Sequence, residues 1–156
     1  WKTGSTDPIF KDGEWHMVAI TYNKTSGRLL TYVDGELQKN VSAHGSIGTN
    51  DGSIMVAARG ADSSPGAFLK NGSVGDVKMF NRSLTPEEIQ ELKNNPDALI
   101  GNILDMPLIN DSTDRSGNGY NSTEYGDPTY NGGRSYITQP AVKSPNPLIA
   151  IITAVL

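Results

Sequence analysis

The residues able to do chemistry are few, and their spacing narrows what they can do. Two carboxylates acting as acid and nucleophile on a glycan must stand a fixed distance apart, which on a strand means alternating acids. Asp34 and Glu36 are two apart but flank an Asp-Gly turn, which points to a turn former beside a solvated charge. Glu87 and Glu88 are adjacent at the start of a helix pattern and offer no such pair. The histidines are His16 and His44, and cysteine is absent, so thiolate zinc sites, iron–sulfur clusters, disulfides and cysteine nucleophiles are excluded. His16 reads as a structural strand residue and His44 as exposed in a Ser-Ala-His-Gly loop. No G-x-S-x-G elbow or phosphate-cradling glycine loop occurs.

Oxygen chemistry has more material. Asp111, Asp114 and Asn118 put three hard ligands in one loop, a donor set suited to calcium, although the EF-hand spacing is not met. Tyr120, Tyr125, Tyr130 and Tyr136, interleaved with Asn and Asp, could stack on a sugar, with Asn118 adding a planar amide. Asn23, Asn40, Asn71, Asn81, Asn110 and Asn121 each open an N-x-Ser/Thr sequon. Chance would give about two, so the excess suggests a surface exposed outside the cell or on a virion.

These groups must be positioned by short strands. The 17 glycines and 9 prolines of this 156-residue chain punctuate it at close intervals. Trp15 to Tyr22 is aromatic and β-branched and apolar on both faces, as an inner strand requires. Arg28 to Val33 and Glu36 to Val41 flank Asp34-Gly35, the strongest short hairpin signal, because a type I′ turn needs positive φ at both central residues. Further strands are expected at Ser53–Arg59, Ala67–Lys70, Gly75–Asn81, Ile103–Leu108 and Ser135–Val142, with the apolar tail Leu148–Leu156 as a terminal strand. The expected core lies around Trp15, Val18, Ile20 and Met79. One helix is expected near 85–94: Thr85 caps it, Pro86 opens it, Glu88 completes a capping box, and Asn94-Asn95-Pro96 stops it.

A net charge of −4 gives no basic excess for nucleic acid, and no apolar run approaches the length of a membrane span. Partners are therefore sought among glycans and surface proteins, with no nucleic acid and no membrane insertion within this segment. The first residue, Trp1, suggests a processed product or a fragment.

The assembled motifs resemble a known family. Asp12-Gly13-Glu14-Trp15-His16-Met17-Val18-Ala19-Ile20-Thr21-Tyr22, then Tyr32-Val33-Asp34-Gly35, then Gly75 to Thr85 (GDVKMFNRSLT), then Glu87-Glu88-Ile89, are similar to the second half of a laminin-G-like domain. These domains are concanavalin A-like jelly rolls. Asp111–Asn121 (DSTDRSGNGYN) and Tyr125–Tyr130 resemble the opening of the same family. The resemblance implies an all-β, antiparallel two-sheet sandwich with one short helix. Residues 1–99 would be the C-terminal half of one sandwich, and 100–156 the N-terminal part of a second or of the same one permuted.

A half sandwich leaves strand edges open. A fragment, or an assembly interlocked with neighbouring copies, is favoured here over closure of the chain on itself. The resemblance also implies a structural calcium between the Asp114 loop and a late strand, which adds Asp76 to the candidate ligands. The function it implies is a non-catalytic binding or adhesion module at an extracellular, cell or virion surface. The alternative is a self-assembly domain of a virion or surface filament.

Overall fold

The computed structural model describes residues 14–45, 54, 56, 58–61, 64–68, 73–98, 100–124, 130 and 147–152. Among the described residues, eight strands and one helix follow in the order β1 (His16–Asn23), β2 (Arg28–Val33), β3 (Glu36–Ser42), β4 (Ala58–Ala61), β5 (Ser64–Phe68), β6 (Ser73–Met79), α1 (Pro86–Asn94), β7 (Leu104–Met106) and β8 (Pro147–Ile152). Six form one sheet in the order β3-β2-β1-β8-β6-β7, and β4 and β5 form a second. The architecture is the expected concanavalin A-like layering of strands with one short helix. The strand expected at Ser135–Val142 and the segment Trp1–Phe10 lie outside the described residues.

The β1–β2–β3 meander follows its turn chemistry. Asp34 and Gly35 have φ of 51° and 81°, the two positive values a type I′ hairpin needs. Gly35 meets a second constraint. A Cβ there would stand 2.5 Å from Gln90 Nε2, which donates to the Gly35 carbonyl at 2.9 Å. The hairpin tip therefore rests directly on the helix.

The main sheet is antiparallel in its β1–β2, β2–β3 and β6–β7 pairings and parallel only where β8 joins it. β8 pairs in parallel with β1 (Val18↔Ala150) and with β6 (Val77↔Ala150). β1 and β6 run in the same direction, so a strand between them that is parallel to one is parallel to both. A parallel neighbour needs a long crossover, and the many residues separating β7 from β8 in sequence allow it. Strands from 1–99 and from 100–156 thus share one sheet within one chain.

The core also differs from the sequence expectation. Along β1, Met17, Ala19 and Thr21 are 5%, 0% and 2% exposed, whereas Val18 and Ile20 on the opposite face are half-buried. The helix decides this. Its buried residues Ile89 and Leu92 join Phe80, Leu84 and Ala98 in one cluster with Met17, Ala19 and Tyr32, and Trp15 packs at its margin. A smaller cluster of Val77, Leu104 and Met106, with Met79 half-buried beside it, lies across β6 and β7. Periodicity could not choose between two apolar faces of β1; the amphipathic helix chose.

The helix begins as its sequence specifies. Thr85 Oγ1 accepts from Glu88 N–H at 3.3 Å, and Glu88 Oε2 accepts from Thr85 N–H at 3.0 Å. Arg82 then clamps Glu88 with two donors at 2.7 and 2.6 Å and reaches the Ile100 carbonyl at 2.8 Å. Because Glu88 accepts first from Arg82 and then from the Thr85 N–H, its carboxyl is held below the usual range. Ile89→Ala is expected to cost about 2–5 kcal/mol in urea unfolding. Val18→Ala, on the half-buried face, should cost less than half of that; equal losses would contradict the core assignment.

Candidate functional site

The candidate surface is the segment that follows β7. Pro107 ends the strand, and Leu108 turns the chain with a left-handed φ of 50°. The tract from Asn110 to Glu124 has few aliphatic residues, so apolar burial cannot order it. Hydrogen bonds organise it instead, around one carboxylate.

Asp114, 8% exposed, holds that centre. Its Oδ1 accepts from the N–H groups of Asp105 at 3.0 Å and Ser116 at 2.9 Å. Its Oδ2 accepts from the Ser116 hydroxyl at 2.9 Å and the Tyr120 N–H at 3.0 Å. The Asp114 N–H donates to Asn121 Oδ1 at 3.1 Å, and Arg115 N–H donates to the Asp105 carbonyl at 2.7 Å. The loop is therefore pinned to β7 through both backbone groups of one residue, Asp105. Gly117 and Gly119, with φ of 89° and 76°, supply left-handed turns that let the chain circle the carboxylate. Asn118 closes the ring by donating its amide to the Ile103 carbonyl at 3.0 Å.

Burial alone would raise the Asp114 pKa, but the N–H donors of Asp105, Ser116 and Tyr120 and the Ser116 hydroxyl outweigh it, and the net shift is downward.

Around this ring lie exposed groups held by hydrogen bonds of the same segment. Tyr120 is 61% exposed although its own N–H is anchored. Glu124 Oε1 accepts from the Ser112 hydroxyl at 2.7 Å and the Tyr130 hydroxyl at 2.5 Å. Burial, and then that bond to Glu124, raise the Tyr130 pKa. Tyr120, Asn118, Tyr130 and Glu124 thus belong to one hydrogen-bonded segment; Tyr125 lies outside the described residues.

The candidate metal ligands are placed less closely. Asp76 is fully buried on β6, Asp111 is exposed and accepts from the Thr113 N–H at 3.0 Å, and Asn118 uses its amide as a donor. No three His, Asp or Glu side chains converge as a metal-holding group among the described residues. Of the sequon asparagines, Asn23, Asn40, Asn81, Asn110 and Asn121 are exposed, and Asn71 lies outside the described residues.

Two pairings were not legible in the sequence. Asp34 is more than a turn former: its Oδ2 accepts from His16 Nδ1 at 2.7 Å and its Oδ1 from the Met17 N–H at 2.9 Å. It ties the hairpin tip to the start of β1, giving His16 its structural role. Lys78 Nζ donates to Asp105 Oδ1 within the sheet. Only strand register reveals either contact, since 18 and 27 residues separate the partners.

A two-layer strand architecture with one capped helix and an exposed polar loop defines a concanavalin A-like domain. The chain belongs to the laminin-G-like family of the concanavalin A-like lectin/glucanase superfamily, whose family model matches residues 1–90, more than half of it. It is similar to the human (Homo sapiens) neuronal pentraxin receptor, with 32% identity over 101 residues, 60% of this chain and 20% of that protein. A Rattus norvegicus protein named for sushi, von Willebrand factor type A, EGF and pentraxin domains is 30% identical over 108 residues, 64% of this chain and 3% of the relative. Neuronal pentraxin-2 of Cavia porcellus is 29% identical over 115 residues, 69% of this chain and 26% of the relative. The chain therefore spans about a quarter or less of each of these proteins. No solved structure matches significantly.

The depressed Asp114 pKa sets a sign for pH dependence. Its stabilisation is complete above the ordinary aspartate range and is lost as pH falls through the lower, folded value. Asp114→Asn should lower the melting temperature at pH 7, and the gap to the parent should narrow towards pH 2. A gap that widens on acidification would contradict this role.

Proposed function

We propose that this chain is a non-catalytic binding module of an extracellular or cell-surface protein, and that the loop carrying Asn118, Tyr120 and Glu124 is its recognition surface for a glycan. Membership of the laminin-G-like family supports the class, as does likeness to proteins that carry pentraxin in their names. The virion and filament alternatives draw no support from these animal relatives. Among the described residues, no helix is long and apolar enough to cross a membrane.

The observation that carries the site is Tyr120. A ring 61% exposed on a backbone anchored to a buried carboxylate offers an aromatic face whose position is set before binding. Stacking on a sugar then needs little further ordering, and the amide and carboxylate beside it can hydrogen-bond to hydroxyls. The exposed sequons support display on an exported surface, with Asn23, Asn40, Asn81, Asn110 and Asn121 as acceptors.

A glycan array with the parent chain and Tyr120→Ala tests the reading. The expected result is binding that Tyr120→Ala weakens about tenfold or more, a loss of about 1.4 kcal/mol, with the fold intact by circular dichroism. Glycan binding unchanged in the variant would remove Tyr120 from the site. A parent that binds no glycan but captures a surface protein through Tyr120 would move the ligand to the protein class.

A structural calcium held by Asp76, Asp111, Asp114 and Asn118 is tested separately. Because protein donors already fill all four of the Asp114 acceptor positions named above, EDTA is expected to leave the melting temperature unchanged. A drop restored by calcium would reassign this carboxylate to the metal.

A further inference from the structure

The two outer strands of the main sheet differ in what protects them. An outer strand presents a row of unpaired backbone groups, and proteins guard such rows by shortness, cover, bulges or charge. At one end, β7 is three residues long and buried throughout. At the other, β3 runs seven residues, all of them exposed, and among the described residues only β2 adjoins it.

Two guards stand on β3, and they cover only part of it. Tyr32 pairs with Leu37 but Thr31 pairs with Lys39, so Gln38 is the extra residue of a bulge near the hairpin. Lys39 places a charge beside that bulge. Beyond it the ladder is regular, with Asn40 opposite Leu30, Val41 opposite Leu29 and Ser42 opposite Arg28. These three residues of β3 are uncharged, and Val41 is 46% exposed. The regular part of the edge therefore lacks both devices.

Asn40-Val41-Ser42 is also a sequon. Of the other described sequon asparagines, Asn23 ends β1, and Asn81, Asn110 and Asn121 stand outside the strands. Directly opposed residues share a face of the sheet. Asn40 thus stands on the face of Leu30, and Leu37 on that of Tyr32, the side on which α1 packs. Leu37 is 51% exposed there.

Given the exported surface proposed above, on which this rests, we infer that Asn40 carries an N-linked glycan that keeps β3 from pairing with β3 of a second copy. The donor is a glycosyl diphosphate supplied by the exporting cell. The Asn40 amide nitrogen attacks its anomeric carbon and the N–C bond forms. The C–O bond to the diphosphate breaks, the diphosphate leaves with that electron pair, and the nitrogen gives up one proton. Nothing is oxidised or reduced. The attached sugar is bulky and hydrated. On the helix side of the edge it covers Leu37 and stops a second strand from closing to the ladder spacing of about 4.8 Å.

Peptide mapping and light scattering of the full chain, exported from eukaryotic cells, test this. The β3 peptide should carry a glycan, and enzymatic release should leave aspartate at position 40. The parent should be monomeric. Asn40→Gln and Ser42→Ala, which each remove the sequon at an exposed position, should double the apparent mass at the same protein concentration. Adding Val41→Lys to Asn40→Gln puts a charge on the regular part of the edge and should restore the monomer. Glycans at other sequons with none at Asn40 overturn the inference and leave the exported surface standing. No glycan at any sequon overturns it together with the reading of these asparagines as acceptors. A monomeric Asn40→Gln, or an association that Val41→Lys leaves in place, overturns the guarding role.

Discussion

The packing of one short helix against one face of the main sheet is the contact on which the rest of the structure depends. Ile89 and Leu92 project from α1 onto Met17, Ala19 and Phe80, and the fully buried positions of this cluster lie at that contact. A nine-residue helix has little stability of its own. Its first turn is therefore secured by the Thr85–Glu88 box and the Arg82 clamp, and its middle by the Gln90 bond to the Gly35 carbonyl. Each of these reaches a part of the chain that the helix also covers, so capping and packing reinforce one another. The hairpin tip, the β6 end and the helix form one unit because of it.

Elsewhere, order is achieved by carboxylates that link separate segments. Asp34 joins a turn to the start of β1, Asp105 pairs with Lys78 across a ladder, and Asp114 gathers a loop around itself. This division of labour follows composition. Where aliphatic residues are dense the sheet is held by burial, and where they are sparse a carboxylate with several donors takes their place. The arrangement leaves Tyr120 exposed on a fixed backbone. The Asp114 ring gives the loop a fixed base and leaves its tip accessible.

The family was legible in the residues because its motifs are local. Asp34-Gly35 requires positive φ whatever surrounds it, and Thr85-Pro86-Glu87-Glu88 carries its own cap. The aromatic and β-branched character of Trp15 to Tyr22 is readable without tertiary information. The same locality explains what was misjudged: β1 is apolar on both faces, so its core-facing side was undetermined until the helix packed on Met17 and Ala19. Asp34 looked like a turn former alone, because the atoms it binds, His16 Nδ1 and the Met17 N–H, lie at the start of β1, 17 and 18 residues away.

The sequence by itself determined the strand-rich class, the type I′ hairpin, the bounds of the helix and the polar character of the 110–124 tract. Each follows from propensities acting over a few neighbouring residues. Only the tertiary structure decided that β8 runs between β1 and β6, that Lys78 meets Asp105, and that Asp114 becomes the hub of the loop. Those outcomes depend on which distant strands come into register. Register is set by the sum of many weak pairings across the whole sheet, a quantity that no short stretch of residues contains.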